Sequence, residues 1–199
     1  MPLDPRDTIL QNLCPTVMVP RFSPLAPLHG PGHRFLAAAD GLWLEVQRPW
    51  LKLVWPLCSQ TDVKMPYGKL QQTIEFAFDR VPEYFIRRFI DDAKEEHPNE
   101  CGAWLVWNDQ TNQLEYRKLR STSATCASLE VSCPPLLHHE HLAVDLHSHG
   151  GDLPAFFSPE DNRDDVGEVK VSVVIGNVYS HEITIEMRLC ALGVFIKLR

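Results

Sequence analysis

The chain has no apolar run near the roughly 20 residues that a membrane-spanning helix requires. Its first residues, Met1 to Arg6, include an acid and lack the basic start and apolar core of a secretory signal. The six cysteines, at 14, 58, 101, 126, 133 and 190, form no C-x-x-C pair. A disulfide framework is therefore not expected, and reduced, mostly buried thiols are. These absences predict a cytoplasmic protein. Clustered cations are missing as well. The formal charge is −7, with seven Lys/Arg against five Asp/Glu in residues 1–69 and twelve against twenty-one in residues 70–199. An acidic C-terminal part argues against a nucleic-acid partner, because phosphate binding needs concentrated positive charge.

What remains, 199 residues at 44% hydrophobic and 23% charged, is a globular composition. Seven of the sixteen prolines fall in the first 32 residues, so an irregular Pro-rich arm is expected there. Residues 35–46, split by Ala39-Asp40-Gly41, read as a hairpin, and Trp50 to Cys58 as a further strand despite Pro56. Gln71 to Asp79 is too short to assign. Residues 1–70 are thus expected to form an arm and a small β-rich extension. Val81 to Glu96 is the clearest helix, with Tyr84, Phe85, Phe89, Ile90 and Ala93 at helical spacing and His97-Pro98-Asn99 as the stop. Strands are expected at Cys101–Trp107, Gln113–Leu119, Ala124–Cys133, Leu142–Ser148, Val169–Val178, Glu182–Leu189 and Ala191–Leu198. A short helix is expected at Ser158–Val166. The fold class is mixed α/β (α+β), with the main domain over residues 80–199.

Chemistry concentrates after residue 140. In His147-Ser148-His149 two imidazoles lie two apart on a strand, so they point to the same face and can converge on one ion. His139-Glu140-His141 has the same spacing, and there a solvated turn before the strand is the favoured reading. The difference lies downstream. Ser158-Pro159-Glu160-Asp161 is a helix start, with serine at the N-cap and proline behind it, which places Asp161 at the third helical position. A loop returning from the strand can bring that turn over the histidines, making Asp161 a third ligand and leaving a fourth position for water.

His147, Ser148, His149, Ser158 and Asp161 together resemble the H-S-H, loop, S-x-x-D signature of the JAMM metallopeptidases, also called MPN+ or JAB domains. Glu100, in Asn99-Glu100-Cys101-Gly102, is similar to the upstream glutamate of that family. The resemblance implies one Zn2+ per chain held by His147, His149 and Asp161, with a catalytic water. It implies Glu100 as acid/base and Ser158 as an oxyanion donor. For Asp145 two readings stay open, an imidazole-orienting partner or a solvated or salt-bridged acid, and Asp164 reads as surface. The eight residues 150–157 between His149 and Ser158 are one more than the family's usual spacing, and Gly150 stands where the family usually has proline. An extra residue in a Gly-Gly loop can bulge outward without moving the ligands.

Leu153 to Ser158, the acids 161–165 and the N-terminal extension look more specifically like the PRTRC branch of JAB-type proteins from bacterial mobile elements. The implied activity is hydrolysis of peptide or isopeptide bonds after the tail of a ubiquitin-like protein, with an E1/ThiF-like protein as a further partner. The loop from Gly150 to Phe157 would order against that tail. The competing reading from another class is an MPN scaffold that binds partners without catalysis. Amidohydrolase barrels also use H-x-H at a strand end, but at roughly 250 residues they are longer than this chain.

Overall fold

The structure, a computed structural model, describes residues 4–198 apart from 60, 61, 63 and 126–128. The chain divides into two compact units, Met1–Asp79 and Arg80–Arg199. The architecture is mixed α+β with a β-rich N-terminal region.

The first unit contains α1 (Pro5–Leu13) and five strands: β1 (Thr16–Met18), β2 (Gly32–Ala38), β3 (Gly41–Arg48), β4 (Leu51–Ser59) and β5 (Thr73–Phe76). They form one sheet in chain order, with β1 parallel to β2 and the others antiparallel. The expected irregular arm is therefore corrected before residue 19. Its prolines bracket the elements instead of interrupting them. Pro5 opens α1 behind the Asp4 cap, whose carboxylate accepts from the Arg6 N–H at 2.8 Å. Pro15 and Pro20 lie on either side of β1. The stretch 21–31 carries no helix or strand, as expected. Pro56 sits in β4 beyond Leu51–Val54, the stretch that β5 pairs, and next to the register shift of the β3–β4 ladder at Leu42/Trp43, the edge and bulge positions where a strand accepts proline. Leu36, Leu53 and Trp50 are fully buried in this unit.

In the second unit α2 (Glu83–Glu96) buries Phe85, Phe89 and Ala93, spaced by four, while Tyr84 is exposed. The main sheet contains β6 (Gly102–Asn108), β7 (Gln113–Lys118), β10 (Glu140–Ser148), β11 (Val169–Gly176), β12 (Thr184–Ala191) and β13 (Val194–Lys197), in the order β13-β12-β11-β10-β6-β7. Separately, β8 (Arg120–Ala124) and β9 (Leu129–Ser132) form a hairpin. The single strand expected over Ala124–Cys133 is thus the end of one strand and the whole of the next, with 126–128 outside the described residues.

The central strand β10 runs antiparallel to β6 and parallel to β11. A parallel neighbour needs a crossover, and that crossover carries α3 (Pro159–Asp165). Strand ends that feed a crossover are where open α/β sheets place their ligands. A bulge between Leu142 and Val144 shifts the register of β10 against β6 partway along the strand, before Asp145 and His147.

Of the cysteines, Cys101 and Cys190 are buried, Cys14 is partly buried, and Cys58 and Cys133 are exposed, all as free thiols. The expectation of mostly buried thiols is corrected: two of these five are. Cys126 lies outside the described residues. Among the described residues no helix is long and apolar enough to cross a membrane.

Candidate metal centre

The carboxyl end of β10 delivers His147, and His149 follows it directly. The two rings stand with centroids 5.7 Å apart. Their positions are set by backbone pairing on both sides: His147 lies opposite Gly102 of β6 and Val174 of β11, and the His149 N–H donates to the Ile175 carbonyl at 2.9 Å. Asp161 arrives from the first turn of α3. Its position is fixed by a capping box, in which the Asp161 N–H donates to Ser158 Oγ (3.1 Å) and the Ser158 N–H donates to Asp161 Oδ2 (2.6 Å). One ligand atom from each of His147, His149 and Asp161 lies within 4.8 Å of the others.

This donor set fits zinc. A tetrahedral ion with ligands at about 2.1 Å sets donor atoms about 3.4 Å apart, and His147 Nε2 stands 3.4 Å from Asp161 Oδ1. His149 Nδ1 is 2.8 Å from the Pro154 carbonyl, which makes Nδ1 the protonated nitrogen and frees the Nε2 lone pair for a metal. Burial holds the His147 imidazole below its ordinary pKa despite the opposing pull of Asp161 and Asp145, and the neutral form is the one that binds metal.

The loop between histidine and cap is pinned at its far half. The Asn177 N–H donates to the Leu153 carbonyl (2.8 Å) and the Ala155 N–H to Thr184 Oγ1 (2.7 Å). A Cβ on Gly176 would lie 2.3 Å from the Pro154 carbonyl carbon, so only glycine permits this approach. At the near half, Gly151 has φ 61° and open space around it. Phe156 packs edge-on against His149, with ring centroids at 4.4 Å, while Phe157 faces the Arg188 guanidinium.

Glu100 precedes β6 and is held by its neighbour. The Cys101 N–H donates to Ser148 Oγ and the Ser148 N–H to the Cys101 carbonyl, each at 2.9 Å. Ser148, between the histidines, therefore ties the glutamate segment to the histidine strand. Glu100, His147, His149, Ser158 and Asp161 line one cavity of about 600 Å³. Burial, reinforced by the charges of Asp161 and Glu160, raises the Glu100 carboxyl to about 7. Asp145 accepts from the Lys170 ammonium at 2.6 Å, the salt-bridged alternative of the two open for it. Asp164 is exposed. His139 and His141 are not part of this cluster: His141 Nε2 pairs with Asp109 at 3.0 Å.

Sequence reasoning did not find Pro154, whose carbonyl orients His149. A backbone acceptor leaves no side-chain signature.

Residues 82–190 match the family model of prokaryotic homologs of the JAB domain. The chain belongs to this JAB family. Ahead of the JAB domain, residues 4–77 match a domain of unknown function (DUF2016). A search of curated proteins finds no match to the chain. The JAB match spans α2 through most of β12 and so contains every residue of the cluster.

Proposed function

We propose that this JAB domain is a zinc-dependent hydrolase that cleaves peptide or isopeptide bonds after the C-terminal tail of a ubiquitin-like protein. The observation that carries the reading is the convergence of His147, His149 and Asp161 within 4.8 Å on a cavity that also presents Glu100 and Ser158. A bound zinc would supply Lewis acidity and bring the pKa of a coordinated water near 7.

The chain's own residues divide the remaining work. Glu100, with its carboxyl near 7, is poised to take a proton from the attacking water and to pass it to the leaving amine. Ser158 Oγ already accepts from the Asp161 N–H, which leaves its hydroxyl hydrogen free to donate to the developing oxyanion, a role worth roughly 3 kcal/mol. Capping and oxyanion donation thus use different parts of one hydroxyl. Phe156, on the cavity wall, would help exclude solvent water.

The substrate and partner assignments rest on the PRTRC-type resemblance: a ubiquitin-like protein or its conjugate, and an E1/ThiF-like protein of the same system. A tail ending in small residues would let the backbone approach the site past Phe156 and Leu153. The scaffold reading remains the alternative, since a JAB/MPN domain can bind without catalysis. Elemental analysis combined with turnover of a ubiquitin-like protein fused through its C terminus to an amine reporter separates the two. Zinc with cleavage supports the hydrolase. A folded chain that takes up no zinc and cleaves nothing supports the scaffold.

A further inference from the structure

Helix α3 supplies Asp161 and the Ser158 cap, yet it is only seven residues long and Asp165 is its one buried residue. A helix this short is marginal without tertiary support, and here the buried anchor is charged instead of apolar. The Asp165 carboxylate, 3% exposed, accepts from Lys170 Nζ (2.9 Å), Arg188 Nη2 (2.7 Å) and Ser172 Oγ (2.8 Å).

Arg188, on β12, holds the same helix at two points and the residue before its cap at a third. Besides Asp165 at the last turn, its Nη1 donates to Asn162 Oδ1 at 2.5 Å, one residue after Asp161. Its guanidinium also lies 3.8 Å from the centroid of Phe157, the residue before the cap, and is covered by Phe195 at 4.2 Å. Lys170 completes the connection, because its ammonium bonds both Asp165 and Asp145, and Asp145 lies two residues before His147 on β10. One ionic cluster therefore spans the helix that carries the acid and the strand that carries the histidines.

Resting on the metal-site reading above, we propose that the Arg188–Asp165–Lys170 cluster is a positioning device that holds Asp161 in register with His147 and His149. None of its members is among the three candidate ligands. The fork and the ring stacking are features of guanidinium that an ammonium does not reproduce, so Arg188→Lys keeps the charge and removes the geometry.

The test is the zinc affinity of the full chain, measured by chelator competition, for the wild type, Arg188→Lys, Asp165→Asn and Asn162→Ala. Circular dichroism establishes folding, and the visible absorption of the cobalt-loaded forms reports ligand geometry. Phe89→Leu, a buried position on α2, is the control for plain destabilisation. Arg188→Lys and Asp165→Asn are expected to weaken zinc on the order of tenfold to a hundredfold, the range for groups that orient ligands, and to alter the cobalt spectrum. Phe89→Leu should melt earlier with affinity and spectrum unchanged. Should the two cluster variants fail to fold, Asn162→Ala decides, since Asn162 is exposed and its loss removes one contact with Arg188; weaker zinc is expected there too. Wild-type zinc affinity and cobalt spectrum in the folded variants would overturn the positioning role while leaving the metal site standing. Absence of zinc binding in the wild type would overturn both.

Discussion

At the start of β10, His139 and His141 flank Glu140; at its end, His147 and His149 flank Ser148. The spacing is identical and the surroundings are opposite. At the first end, among the described residues, no carboxylate converges on both rings. Asp109 pairs with His141, and Glu140 is gripped by Arg117, whose guanidinium holds the Glu140 carboxyl down at about 2. At the second end the crossover to β11 returns Asp161, whose Oδ2 closes the capping box while its Oδ1 faces His147, and a backbone carbonyl, Pro154, that selects the tautomer of His149. Two imidazoles at strand spacing are therefore only half of a metal centre, and the element that follows supplies the rest.

The sharpest way to break this comparison is to remove ligands at both ends. Alanine at His147, His149 or Asp161 should abolish tight zinc retention and reduce hydrolysis to background. His141→Ala should leave metal content at one per chain, checked by elemental analysis of dialysed protein, and change stability by no more than about 1 kcal/mol, as for a surface ion pair. Equal metal loss at both ends would erase the distinction.

Next in size is Glu100→Gln. It should keep the zinc and lower the hydrolysis rate by roughly 10²- to 10⁴-fold, the contribution of a positioned acid/base. Loss of metal in this variant would make Glu100 a ligand. Ser158→Ala follows, with an expected rate loss on the order of 10²-fold from the oxyanion donor and a stability loss of about 1 kcal/mol from the cap. A stability loss with an unchanged rate would reduce Ser158 to a cap.

The smallest effect is on metal-free protein. The Glu100 carboxyl is raised in the folded state from the ordinary 4.5 to about 7. The unfolded chain therefore ionises first, and Glu100 costs stability as pH climbs through that interval. Metal-free Glu100→Gln should melt higher than wild type near pH 8, with the advantage fading below about pH 4.5. A difference that is independent of pH would mean that Glu100 ionises normally.

Much of the site was legible because its signals are local. The alternation around His147, the Ser158-Pro159 cap and the apolar spacing of Phe85, Phe89 and Ala93 each involve residues within one turn or one strand. What escaped reading is what depends on partners far along the chain. Arg188 meets Asp165 across 23 residues, and Lys170 meets Asp145 across 25. In the first unit, proline density suggested disorder of form where Pro5 and Pro15 in fact delimit α1 and β1. The bulge at Leu142 and Val144 was equally hidden, since both residues suit either face of a strand.

The clamp of Gly176 under Pro154 makes the ligand loop modular. Leu153, Pro154 and Ala155 are anchored to the β11–β12 region, and His149 is tied back to that anchor through the Pro154 carbonyl, so residues 150–152 form a short detour between two fixed ends, itself touching Pro98 through the Gly151 N–H at 3.1 Å. Such a detour is a natural graft point. Sequences of different length could be exchanged at Gly150–Asp152 to alter the rim around the cavity, whereas a single methyl group at Gly176 would lift the anchor and disturb the histidine with it.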